Sequence, residues 1–196
     1  MIKPSALLLA LATVLPAAAF AADGTGRETL EAPAETREDK LAALFDTLKA
    51  AADERAARDA EDRIFEIWMD SGSPTINVLM DWTMKAMDDE NYPLALDFLD
   101  RITTLEPDYA EGWNKRATVF FLTDQYGLAI GDLERVLALE PRHFGALAGL
   151  GQILREVGDP KRALDAFRAA LAIDPHMEDI GEAMENIEKE SGDRDI

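Results

Sequence analysis

Three prolines, Pro107, Pro141 and Pro175, stand 34 residues apart, and other residues keep step with them. Ala95, Ala129 and Ala163 recur at the same interval, as do Leu99, Leu133 and Phe167. The clearest pair of units runs from Ala110 to Met177, with AEGWNKRATVFFLTDQYGLAIGDLERVLALEPRH followed by FGALAGLGQILREVGDPKRALDAFRAALAIDPHM. A third unit, Ile76 to Tyr109, precedes them. A fixed period of this length constrains the fold more than any other property of the chain. One supersecondary unit cannot bury its apolar face alone, so successive units must stack.

Within each unit the pattern predicts helix A, a tight turn, helix B and a proline-terminated loop. In the second unit helix A is expected from about Glu111 to Thr123 and helix B from about Tyr126 to Leu139. The turns DDENYP, TDQYG and VGDP are rich in turn formers. Trp113, Leu147 and Leu79 place a large side chain in the first turn of helix A. One turn on, Ala117 and Gly151 are small enough for helix B to come close, and Thr83 is the loosest of the set. The repeat prolines end helix B because proline cannot continue the hydrogen-bond ladder.

The regions around the array read differently. Met1 to Ala22 has the form of a secretory signal peptide: Lys3, an apolar run from Ser5 to Leu15, and Ala19-Phe20-Ala21 before a cut after Ala21 or Ala22. The rival reading is an uncleaved anchor, but the run is short against the roughly 20 residues of a spanning helix. No second apolar segment follows, so the expected product is a soluble periplasmic protein, not an integral membrane protein. Residues 23–38 read as a disordered tether. In residues 39–74, Leu41, Leu44, Phe45 and Leu48 form one helix face and Ala57, Ala60, Ile64, Ile67 and Trp68 a second. The hairpin they predict lacks the repeat's small residues, as expected of an atypical unit that seals the head of an array. The repeats then occupy 75–109, 110–143 and 144–177. In 178–196, Ile180, Ala183, Met184 and Ile187 share one face of a capping helix ahead of a frayed tail.

Charge and composition narrow the work such a chain can do. A formal net charge of −19 argues against nucleic acid, whose phosphates it would repel. There are no cysteines, which excludes disulfides and thiolate metal sites. His143 and His176 follow the repeat prolines and read as loop residues without a metal-ligand set. No phosphate loop, nucleophile elbow or His-Glu metal motif is present, so neither an enzyme nor a cofactor is expected. Asp88-Asp89-Glu90 lacks the alternating ligands of a calcium loop and reads as a solvated turn.

These repeats resemble the tetratricopeptide repeat (TPR) family. The third unit fits best, through Leu147, Leu150, Gly151, Ala163, Phe167, Ala170 and Pro175. The second departs at Arg116 and the first at Trp82, where a leucine is usual in the family. The layout as a whole also resembles small periplasmic repeat proteins of alphaproteobacteria, a likeness that implies an envelope-associated role. The family resemblance implies an all-α, right-handed superhelix whose concave groove, lined by helices A, takes a protein or peptide partner. Mapping the family's groove positions gives one row per unit: Asn77, Met80, Met84, Met87 and Asp88; then Glu111, Asn114, Thr118, Phe121 and Leu122; then Gly145, Ala148, Gln152, Arg155 and Glu156. Met80, Met84 and Met87 share a helix face and suit varied apolar surfaces. The alternative for these methionines is packing beneath the N-terminal hairpin. Asn114 and Gln152 are the residues expected to bond a partner's backbone. The subclass that grips a C-terminal carboxylate with Lys and Asn is not matched, since Met80, Met84, Gly145 and Gly149 occupy the relevant places. Self-association through the ends of the array, or a role as the non-catalytic subunit of an envelope enzyme, are the alternatives to a scaffold.

Overall fold

The computed structural model describes residues 35–192, in which every regular element is an α-helix. The helices are α1 (Arg37–Lys49), α2 (Glu54–Met69), α3 (Pro74–Asp88), α4 (Tyr92–Leu105), α5 (Ala110–Leu122), α6 (Tyr126–Leu139), α7 (Phe144–Glu156), α8 (Pro160–Ile173) and α9 (Glu178–Gly192). The proposed signal peptide and most of the proposed tether lie outside the described residues. The end of the tether is a correction. Thr36 caps α1, accepting the Asp39 N–H at 3.1 Å while the Asp39 carboxylate accepts the Thr36 N–H at 3.0 Å. This reciprocal capping box holds Arg37 and Glu38 in the first turn of the helix.

Helices α3–α4, α5–α6 and α7–α8 pair as hairpins, and α4 on α5, α6 on α7 and α8 on α9 join them. The turns share one device at 34-residue spacing. Glu90, Asp124 and Gly158 all adopt positive φ (54°, 57° and 80°), reversing the chain between helices A and B. Joints between units recur at the same spacing. Val119 of α5 packs into the core cluster of the first repeat, with Met80, Leu99 and Ile102. Ile153 of α7 packs into that of the second, with Ala129, Leu133 and Val136. Ile187 of α9 enters the cluster of Leu154, Ala163 and Phe167. α9 therefore covers the third unit as the helix A of a fourth unit would.

Close approach within a unit depends on small residues. A Cβ built on Gly151 would lie 2.4 Å from two carbons of the Phe167 ring, so this glycine is what lets α7 and α8 meet. The matching places hold Ala117 with Leu133, and Thr83 with Leu99, so the largest residue on helix B, Phe167, is the one matched by glycine. Thr83 is fully buried and satisfies its hydroxyl on the Leu79 carbonyl at 2.9 Å. Trp113 is only half-buried, with its indole N–H on the Pro107 carbonyl at 3.0 Å.

Arg116, at a place where the family favours leucine, braces two units. Its Nε and Nη2 bond both oxygens of buried Asp132 on α6 at 2.7 and 2.8 Å. Its Nη1 reaches Asp100 at 2.9 Å and Thr103 at 3.1 Å, both on α4. The guanidinium also lies 4.7 Å from the centroid of the Trp113 ring. A planar five-donor group can serve all these acceptors at once.

The divergent hairpin is not at the head of the stack. α1 and α2 pair with each other and fold back toward α5, and Phe144 of α7 meets Phe65 and Trp68 of α2. Their core of Leu41, Leu44, Phe45, Leu48, Ile64 and Trp68 takes in Phe144 of α7, with Ile173 and Met177 packed against it. One face of α3 is left open: Trp82 is 54% exposed and Val78 is also exposed, as is Leu94 of α4. Lys85, which corresponds to Val119 and Ile153, is exposed too, consistent with no preceding unit for it to enter.

Two outcomes follow. Gly151→Ala should lower stability by about 1–3 kcal/mol in urea unfolding, because a rigid ring must move, and adding Phe167→Leu should recover most of the loss. Arg116→Leu should cost about 3 kcal/mol by leaving Asp132 charged and unpaired, whereas Arg116→Leu with Asp132→Leu should be near neutral.

Candidate functional site

The three groove rows begin at the N-terminal ends of α3, α5 and α7, and there the chain closes its own surface. Asn77 accepts the Ser71 N–H at 3.0 Å and the Ser71 hydroxyl at 2.6 Å, and donates to Asp70 Oδ1 at 3.0 Å. These bonds tie it to the turn that leaves α2. Gly145 faces Phe65 of α2, whose ring would stand 3.9 Å from a Cβ at that position. Glu111 is 1% exposed.

Glu111 belongs to a buried polar centre. His143, 0% exposed, places Nε2 2.9 Å from Glu111 Oε1. Its Nδ1 accepts the Ala146 N–H at 3.0 Å, so the imidazole caps α7. An accepting Nδ1 puts the ring proton on Nε2, which donates to the carboxylate. The His143 ring stacks on Trp68 of α2 with centroids 4.2 Å apart and planes 13° from parallel. His143 lies in the loop before α7, as read, but its side chain is a buried helix cap that joins α2, α5 and α7. His176 does lie in a loop, between α8 and α9, and is half-buried.

Electrostatics fit this arrangement. Burial pushes the Glu111 carboxyl up, but the hydrogen bond from His143, then Lys115 at 3.8 Å and the Asn114 amide, outweigh it and hold the group below its ordinary range. Burial, and next the Glu111 charge, push the Tyr109 phenol up. Tyr109 remains a donor and bonds the Met69 carbonyl at the end of α2 at 2.8 Å. Glu140 follows the same balance: burial raises it, and bonds from Arg142 hold it low. Arg142 also reaches Glu38 of α1 at 2.9 Å and lies 4.6 Å from the centroid of the Phe45 ring.

The expected site residues therefore divide. Met80 is 1% exposed and sits in the core with Ile76, Leu99 and Ile102, so it is not groove surface; one turn on from Ile76, it shares that residue's buried face. Asn77 is held by the turn after α2, and Asn114 gives one amide N–H to Glu111 Oε2 at 3.0 Å. Met84 and Met87 are half-buried on the same core cluster as Met80. Phe121 is half-buried, 5.9 Å from the Tyr126 ring. Thr118 and Leu122 are exposed, while Gln152 and Arg155 are half-buried and turn toward Glu156 at 3.1 and 3.5 Å. Met84 and Met87, Thr118, Phe121 and Leu122, and Gln152 and Arg155 thus form the uncovered C-terminal halves of the three rows. The Glu111–His143 pair was missed because its partners lie 32 residues apart. The available signal was that His143 stands one period after Tyr109, itself a polar ring.

A carboxyl whose folded-state pKa is depressed stabilises the fold above its unfolded value and loses that contribution as pH falls. Stability in urea should therefore decline below about pH 4.3, and Glu111→Gln should flatten this acid limb while lowering stability near neutrality.

Among the described residues no helix is long and apolar enough to cross a membrane. Residues 123–178 match the family model described as Tetratricopeptide repeat. A TPR repeat-containing protein of Rhizobium etli is 46% identical over 136 residues, which cover 69% of this chain and 67% of that protein. Small glutamine-rich tetratricopeptide repeat-containing protein 2 of Saccharomyces cerevisiae is 28% identical over 90 residues, and the match spans 26% of its length. Among solved structures, the crystal structure of MamA protein aligns with a TM-score of 0.58 at 19% identity, covering 81% of this chain and 86% of that one. The first TPR of Spaghetti (RPAP3), bound to the HSP90 peptide SRMEEVD, aligns with a TM-score of 0.58 at 17% identity, covering 60% of this chain and 93% of that one. Repeat spacing, stacked helical hairpins and the Rhizobium relative lead to one conclusion: the chain belongs to the tetratricopeptide repeat family.

Proposed function

We propose that this protein is a periplasmic interaction module that holds an apolar or amphipathic segment of another protein, and so scaffolds a cell-envelope complex. The observation that carries the proposal is the division of the groove. The N-terminal halves of its helices are sealed by α2, Trp68 and the Glu111–His143 pair. The C-terminal halves present Met84, Met87, Phe121 and Leu122 beside Thr118, Gln152 and Arg155. Flexible thioethers next to an aromatic ring suit an apolar helix or strand whose shape is not fixed beforehand. The TPR domain of Spaghetti is solved with a peptide bound, which supports peptide recognition as the kind of work for this fold. The signal-like Met1 to Ala22 supports the compartment. The site is a binding surface, without a reaction assigned to it.

Self-association is the second reading. It is favoured by the open end of the array, where Trp82 is 54% exposed and its ring lies 5.8 Å from Phe98. Light scattering coupled to size exclusion separates the two, since a clean monomer removes this second reading.

The Met84→Asp/Phe121→Asp double variant should keep its helical circular dichroism and lose most recovery of a partner captured by crosslinking in intact cells. Equal recovery by the folded variant would refute the groove.

A further inference from the structure

The acidic residue before each repeat proline is Glu106, Glu140 or Asp174, and the residue after the proline is Asp108, Arg142 or His176. In the second unit this pair is complete. Glu140 Oε1 accepts the Arg142 N–H at 3.0 Å, and the guanidinium bonds both Glu140 oxygens at 3.0 and 3.1 Å. A second carboxylate, Glu38, and an aromatic face, Phe45, complete the seat, both supplied by the hairpin.

The third unit repeats the seat without its cation. Asp174 Oδ1 accepts the His176 N–H at 3.0 Å, the counterpart of the backbone bond in the second unit. Asp174 is 0% exposed; no N–H reaches its Oδ2, and the side chain hydrogen-bonded to it is the Glu61 carboxyl. The His176 Nε2 is buried and has no partner either. The hairpin again supplies a second carboxylate, Glu61 of α2. Burial, then the charge and hydrogen bonding of Asp174, push the Glu61 carboxyl above its ordinary range. Phe65 and Phe144 provide the aromatic wall of a cleft of about 540 Å³ that Glu61, Asp174 and His176 also line. Carboxylates outnumber the one arginine there, Arg58, since Glu54, Glu178 and Asp179 line the rim as well.

Acceptors thus converge with too few donors. A guanidinium would relieve two carboxyl groups left to share a proton, since its planar fork offers five N–H groups and its face stacks on aromatic rings. We propose that this cleft, between α2 and the α8–α9 loop, binds an arginine side chain presented by another protein. Arg142 shows the geometry within the same chain: the guanidinium bridges the Asp174 and Glu61 carboxylates, donates toward His176 Nε2 and lies against Phe65 or Phe144. That the arginine belongs to a protein rests on the interaction-module reading. The site itself does not depend on the groove.

The test is NMR titration of the full ¹⁵N-labelled chain with N-acetyl-arginine amide. Saturable shifts are expected at Gly145, Asp174 and His176, with weaker or absent response to N-acetyl-lysine amide. Asp174→Asn keeps the acceptor for the His176 N–H and removes a buried charge, so the fold should hold with an unchanged or higher Tm. This variant should lose the response or weaken it by about ten-fold or more, and Glu61→Gln should weaken it in the same direction. Met84→Asp/Phe121→Asp should leave it intact, so failure of the groove and failure of this site are distinguishable. The proposal is overturned if no saturable shift is seen, if Asp174→Asn responds like the parent, or if the lysine amide binds equally well. A response that emerges only in Arg27→Gln would give the cleft to the chain's own arginine, and would overturn the partner as well.

Discussion

The architecture rests on how closely helix A and helix B of each unit can approach. Gly151 leaves no room for a Cβ against Phe167, and Ala117 and Thr83 hold the matching places in the earlier units. Close approach fixes the angle of each hairpin. That angle sets where Val119, Ile153 and Ile187 emerge, and these three side chains join one unit to the next. A one-dimensional stack of this kind sums nearest-neighbour joints. The spacing of one small residue therefore propagates along the whole array.

On that apolar frame the chain places a few charged groups, each answering to more than one element. Arg116 serves α4, α5 and α6, and Arg142 serves the loop before α7 and the α1–α2 hairpin. Glu111 and His143 are the most deeply placed. A buried carboxylate survives there because an imidazole N–H, a lysine and an amide share it. Their common effect is to hold the hairpin against the array's flank. Phe144, Tyr109 and Trp68 add the apolar and hydrogen-bonded contacts that complete this docking. The consequence for function is direct: surface that the repeats alone would offer to a partner is partly occupied by the chain itself.

The seats at Glu140 and Asp174 share a place in the repeat and differ in the side chain that follows the proline. Backbone geometry around the two prolines is shared, including the bond from the second residue after the acid. Arginine fills the seat in one unit, and histidine, too short and with too few donors, leaves it open in the next. Periodicity thereby supplies an internal comparison, in which one unit shows what another lacks.

Much of this was legible in the sequence. The 34-residue period, the small residues, the prolines and the amphipathic faces determined helix type, hairpin order and the covering role of α9, because those depend on local propensity and on which side chains must leave water. Met80 could not be assigned, since groove and core positions on helix A differ by less than one turn and methionine suits both. Glu111, His143 and Trp68 were illegible as a set: a glutamate in a first turn, a histidine after a proline and a tryptophan on a distant helix carry no mutual signal. The sequence by itself determined that the units stack. Only the tertiary structure decided that the hairpin turns back onto α5 and α7 instead of capping α3, because that choice depends on long-range shape and on polar groups that find each other only once the array is built.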